Sequence, residues 1–257
     1  MPNIVTTVNV LSWNVHWGVA RVPDKPKAMP FDPLVEVELM APGLLARTDV
    51  AVFPEAFRDH AGSSFLDGIA ALGFEHVVET KFRPLTVSVP RRELNEPGEG
   101  FWNLAVASRH PILETREIEL KPSINDVVPV RHARSIRIAP DGREVDITAF
   151  HPSSKVWLWA SQTQLRGLHA SMQAHELDGR HRPAIMAGDG NIWRSWLPAL
   201  LPGWRSTAKG RTFPSWRPHS QIDHILIRGA IDEIDSAVLP YSPSSDHRAV
   251  RASLQLR

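Results

Sequence analysis

The chain predicts an α/β fold in which one β-sheet packs on another and helices cover the pair. Three features of the 257 residues carry that expectation. The first half alternates strand-like and helix-like segments, and the second half strings short apolar runs around a long amphipathic stretch. The Gly-rich phosphate turn that a doubly wound nucleotide fold needs after its first strand is missing. Two strand-rich halves, each with a few outer helices, bury their apolar faces most simply as sheet on sheet.

Element by element, the first strand is read at 8–13. Asp32 caps a helix whose first residue is Pro33 and which runs to Arg47 with an interruption near Pro42-Gly43. A strand at 49–53 ends at Pro54-Glu55, a helix at 63–72 stops at Gly73, and a strand returns at 75–82. Residues 83–100, rich in Pro, Gly and charge, read as a long surface loop and a lid candidate. Strands follow at 102–108, 114–120 and 130–138, then an Asp141-Gly142 hairpin turn and a strand at 145–150. Within 130–138, Arg134, Ile136 and Ile138 alternate with Ser135 and Arg137, which predicts one wet face. Leu165, Leu168 and Met172 give 161–175 a helical stripe, an apolar run at 185–189 delivers Asp189, and strands near 222–227 and 247–256 close the chain.

Composition narrows the function. The 42% apolar and 22% charged content describes a folded chain with a sizeable core, read as one domain over 1–257. A net charge of +1, from 29 basic and 28 acidic side chains, lacks the basic excess of a dedicated nucleic-acid binder, so nucleic acid is allowed as a partner but not indicated by charge. The absence of cysteine excludes disulfides, thiolate nucleophiles and cysteine-zinc sites, leaving O and N ligands for any metal. No signal-like N-terminus and no run long enough to span a bilayer are found, which predicts a cytoplasmic protein without integral membrane contact; no obligate protein partner is evident. No HExxH pattern and no Gly-x-Ser-x-Gly elbow occurs, which argues against zinc-protease and serine-hydrolase chemistry.

The chemistry-bearing residues cluster at strand ends. Asn14, Glu55, Asp189, Asn191 and Asp246 are the oxygen donors that Mg²⁺ accepts, and Asp223 is a candidate carboxylate partner for His247. Phosphate esters yield mainly to cations that neutralise phosphoryl oxygens and to a base that orients water, which these residue types supply. Singly, an Asp or Asn after a strand is more often a turn former or helix cap; their joint order carries the inference of a metal-dependent phosphoester hydrolase.

That order runs Leu11-Ser12-Trp13-Asn14-Val15, Phe53-Pro54-Glu55, Asn103 to Arg109, Phe150-His151, Ala187-Gly188-Asp189-Gly190-Asn191, Ile222-Asp223-His224-Ile225 and Ser245-Asp246-His247. It resembles the endonuclease/exonuclease/phosphatase superfamily, which includes deoxyribonuclease-like phosphoesterases, neutral sphingomyelinases and inositol polyphosphate phosphatases. The resemblance implies a four-layer α/β/β/α sandwich of two mainly antiparallel sheets. It implies Mg²⁺ or Mn²⁺ on Glu55, with Asn14 and Asp246 completing or orienting the metal shell. Asp189 and Asn191 would hold the attacking water and the scissile phosphate, His247 braced by Asp223 would act as base or as a phosphate-orienting cation, and His151 would stand near the leaving group. Two departures stand out: Gly190 occupies a position where many relatives carry a large residue, which predicts a looser loop or closer approach to substrate, and Asn103 replaces a glutamate that braces the first histidine in the deoxyribonuclease branch.

Substrate contacts are expected from Arg131, Asn103, Trp193 and Trp216, the arginine through a bidentate phosphate contact unless it is an exposed strand charge, the tryptophans by stacking. Arg91-Arg92 and Lys155 are weaker candidates of the same kind. Phosphodiester hydrolysis of a nuclease-like type leads, with a lipid or small-molecule phosphatase or sphingomyelinase-like hydrolase as the alternative, and a catalytically silent binding module as the reading from another class.

Overall fold

The structure, a computed structural model, describes residues 5–16, 19–20, 29–30, 32–59, 61–85, 100–123, 126, 130–154, 159–240 and 245–257. The chain begins with β1 (Thr6–Ser12), a small ribbon of β2 (Val19–Ala20) and β3 (Met29–Pro30), and the helices α1 (Pro33–Met40) and α2 (Leu44–Arg47). Then come β4 (Val50–Asp59), a 3₁₀ helix at Phe65–Leu72, β5 (His76–Leu85), β6 (Gly100–Ser108) and β7 (Glu114–Glu119). The second half holds β8 (His132–Ile138), β9 (Val145–Phe150), α3 (Trp159–Ala174), β10 (Ala184–Asp189) and α4 (Leu197–Leu200). Last are β11 (Arg205–Ser206), β12 (Asp223–Arg228), β13 (Ile231–Val238) and β14 (Val250–Leu256). The lid candidate falls largely on 86–99, which with Arg91, Arg92 and Lys155 lies outside the described residues.

Two six-stranded sheets form, in the orders β13-β14-β1-β4-β6-β5 and β11-β12-β10-β9-β8-β7. Each is antiparallel except for one central pair, β1 with β4 and β9 with β10. Three apolar clusters define four layers. Val8, Val10, Val52, Leu104 and Val106 of the first sheet meet Ile136, Ile147, Ile185 and Ile225 of the second between the sheets. Leu11, Phe53 and Ala105 pack outward against α1, α2 and the 3₁₀ helix, while Ala133, Phe150 and Met186 pack outward against α3 and α4. The α/β/β/α sandwich expected from the sequence is the observed architecture.

Local chemistry explains most boundaries. The Asp32 side chain accepts from Leu34 N, and the helix expected to run to Arg47 breaks into α1 and α2 at Gly43, whose φ is 69°. Residues 65–72 are helical as expected but wound as 3₁₀, capped by a reciprocal Ser64–Asp67 box and stopped by Gly73 at φ 88°.

Three expectations are corrected. The strand predicted to end at Pro54-Glu55 continues to Asp59, because a bulge absorbs the proline: Phe53 pairs with Ala105 but Ala56 with Asn103. The wet face predicted for β8 is largely closed: Ala133 packs in the cluster of α3, Ser135 is buried and Arg137 is half-buried on Glu114 and Asp146, while Ile136 and Ile138 are buried on the other side. Strands β11 and β13 were not foreseen. Ile231–Val238 carries Asp232, Glu233 and Asp235, the polar composition of an edge strand, and it pairs with β14 only.

Candidate active site

The parallel pairs bring the chemistry together. Because β1 lies parallel to β4 and β9 to β10, the segments that follow them emerge at the same end of each sheet. The antiparallel partner β12 starts there too, with Asp223 opposite Asp189. Side-chain alternation then selects the inner face. Val8 and Val10 are inward on β1, so Asn14 is too; Ile147 and Ala149 lead to His151, Ile185 and Ala187 to Asp189. Glu55 is the exception that needs the bulge. Phe53 and Ala56 both pack outward, and the extra residue between them turns Glu55 to the inside at φ 56°.

The resulting cluster is closely bonded. Asn14 Nδ2 donates to Glu55 Oε1 at 3.1 Å and to Asp189 Oδ2 at 3.0 Å, while its Oδ1 accepts the His16 backbone N–H at 3.0 Å. An amide N–H cannot ligate a cation, so in this arrangement Asn14 orients the two carboxylates. His151 Nε2 and His247 Nε2 each stand 3.7 Å from Asp189 Oδ2. His247 Nδ1 faces Asp223 at 2.9 and 3.1 Å to its two oxygens. Asn191 N–H donates to Asp189 Oδ1 at 2.8 Å, and its side-chain amide donates to Pro152 O at 3.0 Å. His16, Glu55 and Asn191 all adopt left-handed backbone, at φ 43°, 56° and 47°, strain concentrated where the side chains converge.

The chain ends are tied into the same cluster. Ser245 Oγ donates to Asn14 O at 2.7 Å and accepts the His247 N–H at 3.0 Å, and Trp13 Nε1 donates to His247 O at 3.0 Å. Gly188 lets β9 and β10 approach: a Cβ there would lie 2.0 Å from Phe150 O. The looser loop expected from Gly190 is not found. Its N–H bonds Ile222 O at 2.8 Å, and a side chain would press on His224 Cδ2 at 3.2 Å.

Burial sets the charges. It pushes Glu55 above the usual carboxylate range, with Asp246 adding to the shift against His16 and His247. It likewise pushes Asp189 up to about 7, with His247 opposing. Burial also disfavours a charged His247, but Asp223 and then Asp189 outweigh it and hold the ring well above its ordinary value. His151 goes the other way, lowered well below its ordinary value by burial, then by the charges of Arg131 and His247. Two imidazoles therefore flank one carboxylate, the first neutral near pH 7 and the second cationic.

Among the described residues, Glu55, His151 and Asp189 place ligand atoms within 4.8 Å of one another, as do Asp189, Asp223 and His247. The donor set that fits a hard divalent cation best is a different one. Glu55 Oε2 and Asp246 Oδ1 are buried without a hydrogen-bond partner, and Asp246 is near enough to raise the Glu55 pKa. Two electrostatically coupled carboxylates, each with a buried oxygen that accepts no hydrogen bond and the second 3.9 Å from His247 Nε2, are groups that a cation would neutralise.

The remaining sequence candidates are placed as follows. Arg131 is not an exposed charge: it is buried, forks onto Asp126 at 2.7 and 3.1 Å, lies 4.7 Å over Trp102, and reaches His151 Nδ1 at 3.4 Å. Asn103 is buried on the outward face of β6, donates to Glu79, and makes no hydrogen bond to His151 among the described residues. Trp193 and Trp216 are 48% and 39% exposed, and Trp193 meets Trp196 edge-on at 6.3 Å. Sequence reasoning missed Asp126, Ser245 and Phe213, whose ring lies 4.9 Å from His247. Ser245 stood inside a recognised motif, whereas nothing local distinguishes Asp126 from any loop acid.

A two-sheet sandwich with a carboxylate–imidazole cluster at the strand ends defines a hydrolase architecture. The chain belongs to the endonuclease/exonuclease/phosphatase family, whose model matches residues 11–247 and whose members are generally phosphoesterase hydrolases. No curated protein matches by sequence. Solved structures share the fold: an endonuclease/exonuclease/phosphatase from Beutenbergia cavernae DSM 12333 is 23% identical at a TM-score of 0.72, over 98% of this chain and 72% of that one. The human Nocturnin catalytic domain with bound sulfate is 18% identical at a TM-score of 0.67, over 98% and 95% of the two chains. TDP2 from D. rerio, complexed with a single-strand DNA product, is 14% identical at a TM-score of 0.62, over 96% and 98%. Among the described residues no helix is long and apolar enough to cross a membrane.

Proposed function

We propose that the protein is a divalent-metal-dependent phosphodiesterase of nuclease type, hydrolysing its substrate by direct attack of water on phosphorus. The observation that supports this most is the position of Asp189, 3.7 Å from each of two histidines, in a cluster where Glu55 Oε2 and Asp246 Oδ1 are buried without a hydrogen bond. Glu55 and Asp246 would hold Mg²⁺ or Mn²⁺, oriented by Asn14. The ion supplies charge neutralisation at the phosphoryl oxygens.

The side chains divide the remaining work. Asp189, pushed up to about 7, is the group that takes a proton from water near neutrality, and Asn191 fixes its carboxylate through the backbone N–H. His247 is held cationic by Asp223 and is unsuited to act as a base; it serves as the phosphate-orienting cation. His151 is neutral. Arginine cannot accept a hydrogen bond, so the contact from Arg131 makes His151 Nδ1 the acceptor and leaves the proton on Nε2, facing Glu55 and Asp189. From there it donates a hydrogen bond toward the leaving oxygen as the P–O bond breaks.

The test is turnover of bis-p-nitrophenyl phosphate and of the p-nitrophenyl monoester, with Mg²⁺, Mn²⁺ or EDTA. Metal-dependent release from the diester, lost in Glu55→Gln, is the expected result. Preference for the monoester would replace this reading with a phosphatase, and silence on both with metal bound would favour the binding-module reading.

A further inference from the structure

Outside the cluster described above, β11 of one sheet and β13 of the other frame a cavity of about 1080 Å³. Its lining is unusual in charge and in unmet hydrogen bonding. Arg194, Arg205 and Lys209 face it together with a single carboxylate, Glu233. Glu233 is engaged by the Ser236 hydroxyl, and Arg205 spends one N–H on Ile231 O at 2.8 Å. Three further groups of the lining lack a partner: Arg194 Nε, Trp204 Nε1 and the Ser206 hydroxyl. Trp204 is only 8% exposed, so its indole N–H has little access to bulk solvent.

A buried donor left unsatisfied costs about 1–3 kcal/mol, and most native donors avoid that state. Three such groups around one cavity with an excess of cations match a ligand rich in anionic acceptor oxygens. Phosphate satisfies more of them at once than a carboxylate does, since it offers several charged oxygens to guanidinium, ammonium, indole and hydroxyl donors.

The cavity is built on the same framework as the catalytic loops. Arg194 follows Asn191 by three residues and its N–H bonds Gln221 O at 3.2 Å. The Gln221 side chain bonds Ala208 O at 2.8 Å and Gly210 N at 3.3 Å, on either side of Lys209. Gln221 thus joins both cationic walls of the cavity to the segment that carries Asp223, and the exposed Trp193 and Trp196 rings lie on the stretch that leads from Asn191 into the wall.

We propose that this cavity is a second phosphate-binding site, which receives a phosphate group of the substrate other than the one being cleaved. The substrate is then a molecule with more than one phosphate, an extension that rests on the phosphodiesterase reading; the anion site itself does not.

Calorimetric titration of the whole protein in EDTA separates the two, because it needs no turnover. Pyrophosphate and a single-stranded tetranucleotide serve as probes. Saturable binding is expected, weakened about tenfold or more in Lys209→Met and Arg194→Met; pyrophosphate, too short to span both sites, should keep its cavity affinity in Glu55→Gln. Binding of the tetranucleotide in preference to pyrophosphate would identify a strand as the source of the phosphate; the reverse would identify a small polyphosphate. No saturable binding of either probe, or binding that Lys209→Met leaves intact, or pyrophosphate binding lost in Glu55→Gln instead, would overturn the proposal. Lys209 is exposed, so its variant decides the matter even where Arg194→Met fails to fold.

Discussion

Arg131 donates to Nδ1 of His151 at 3.4 Å, with its other nitrogens locked bidentately onto Asp126. In this chain a cation, not the carboxylate expected from the deoxyribonuclease branch, stands behind the first histidine, and Asn103 bonds Glu79 instead. A carboxylate brace would favour the imidazolium, whereas the guanidinium favours the neutral ring with its proton on Nε2. Arg131 is therefore a positioning residue.

Removing that brace should reduce kcat with little effect on KM. Outer partners of this kind are worth roughly 10–100-fold, and Asp126→Asn, which unlocks the fork without deleting the cation, should show a smaller loss in the same direction than Arg131→Ala. Imidazole ¹⁵N shifts give the tautomer directly. A spectrum with His151 protonated at Nδ1 in the wild type would remove the argument.

Metal binding should stabilise the fold in a pH-dependent way. Burial raises Asp189 to about 7 and raises Glu55, so without a cation the folded state loses stability as pH climbs from the ordinary carboxyl value through the folded one. A cation held by ionised carboxylates offsets that loss. The stabilisation on adding excess Mg²⁺, about 2.7 kcal/mol at a hundredfold excess over Kd and read as a rise in Tm, should be smallest at acid pH, where the raised Glu55 carboxyl is protonated, and should grow as pH climbs through its folded value. Thermal melts with and without MgCl₂ measure it, and an increment independent of pH would contradict the assigned charges.

His247 and Asp223 should act as one unit. Asp223→Asn withdraws the charge that holds the ring cationic at 2.9 Å, and His247→Ala removes the ring itself. Each should lower kcat/KM by on the order of a hundredfold or more, and the double variant should lose little beyond His247→Ala alone. Additive losses would mean that Asp223 has an independent task.

Gly188→Ala should be among the most damaging single-methyl changes. Its Cβ would meet the Phe150 carbonyl oxygen at 2.0 Å, within the parallel pair that aligns His151 with Asp189. A loss of at least about 3 kcal/mol in denaturant unfolding is expected. Gly167→Ala in α3 is the control: nothing lies within 4 Å, and replacing a helical glycine should gain up to about 1 kcal/mol.

Much of the site's framework was legible because it depends on local periodicity. Alternation in the runs before Asn14, His151 and Asp189 fixes which side chains face inward, and the motif order fixes which residues meet. Pro54-Glu55 read as a strand end because a proline ordinarily interrupts a ladder. Only the pairing with β6 revealed a bulge that keeps the strand and turns Glu55 inward.

The sequence by itself determined the α/β/β/α layering, the family and the set of acids, amides and histidines that converge. Tertiary structure decided their states: a neutral His151 beside a charged His247, an Asn14 that orients carboxylates, and an Arg131 buried on Asp126. The reason is range. Strand and cap signals are written within a few neighbouring residues, whereas protonation and pairing follow from desolvation and from charges that folding brings close, as Ser245 brings the last motif to Asn14 across 231 positions.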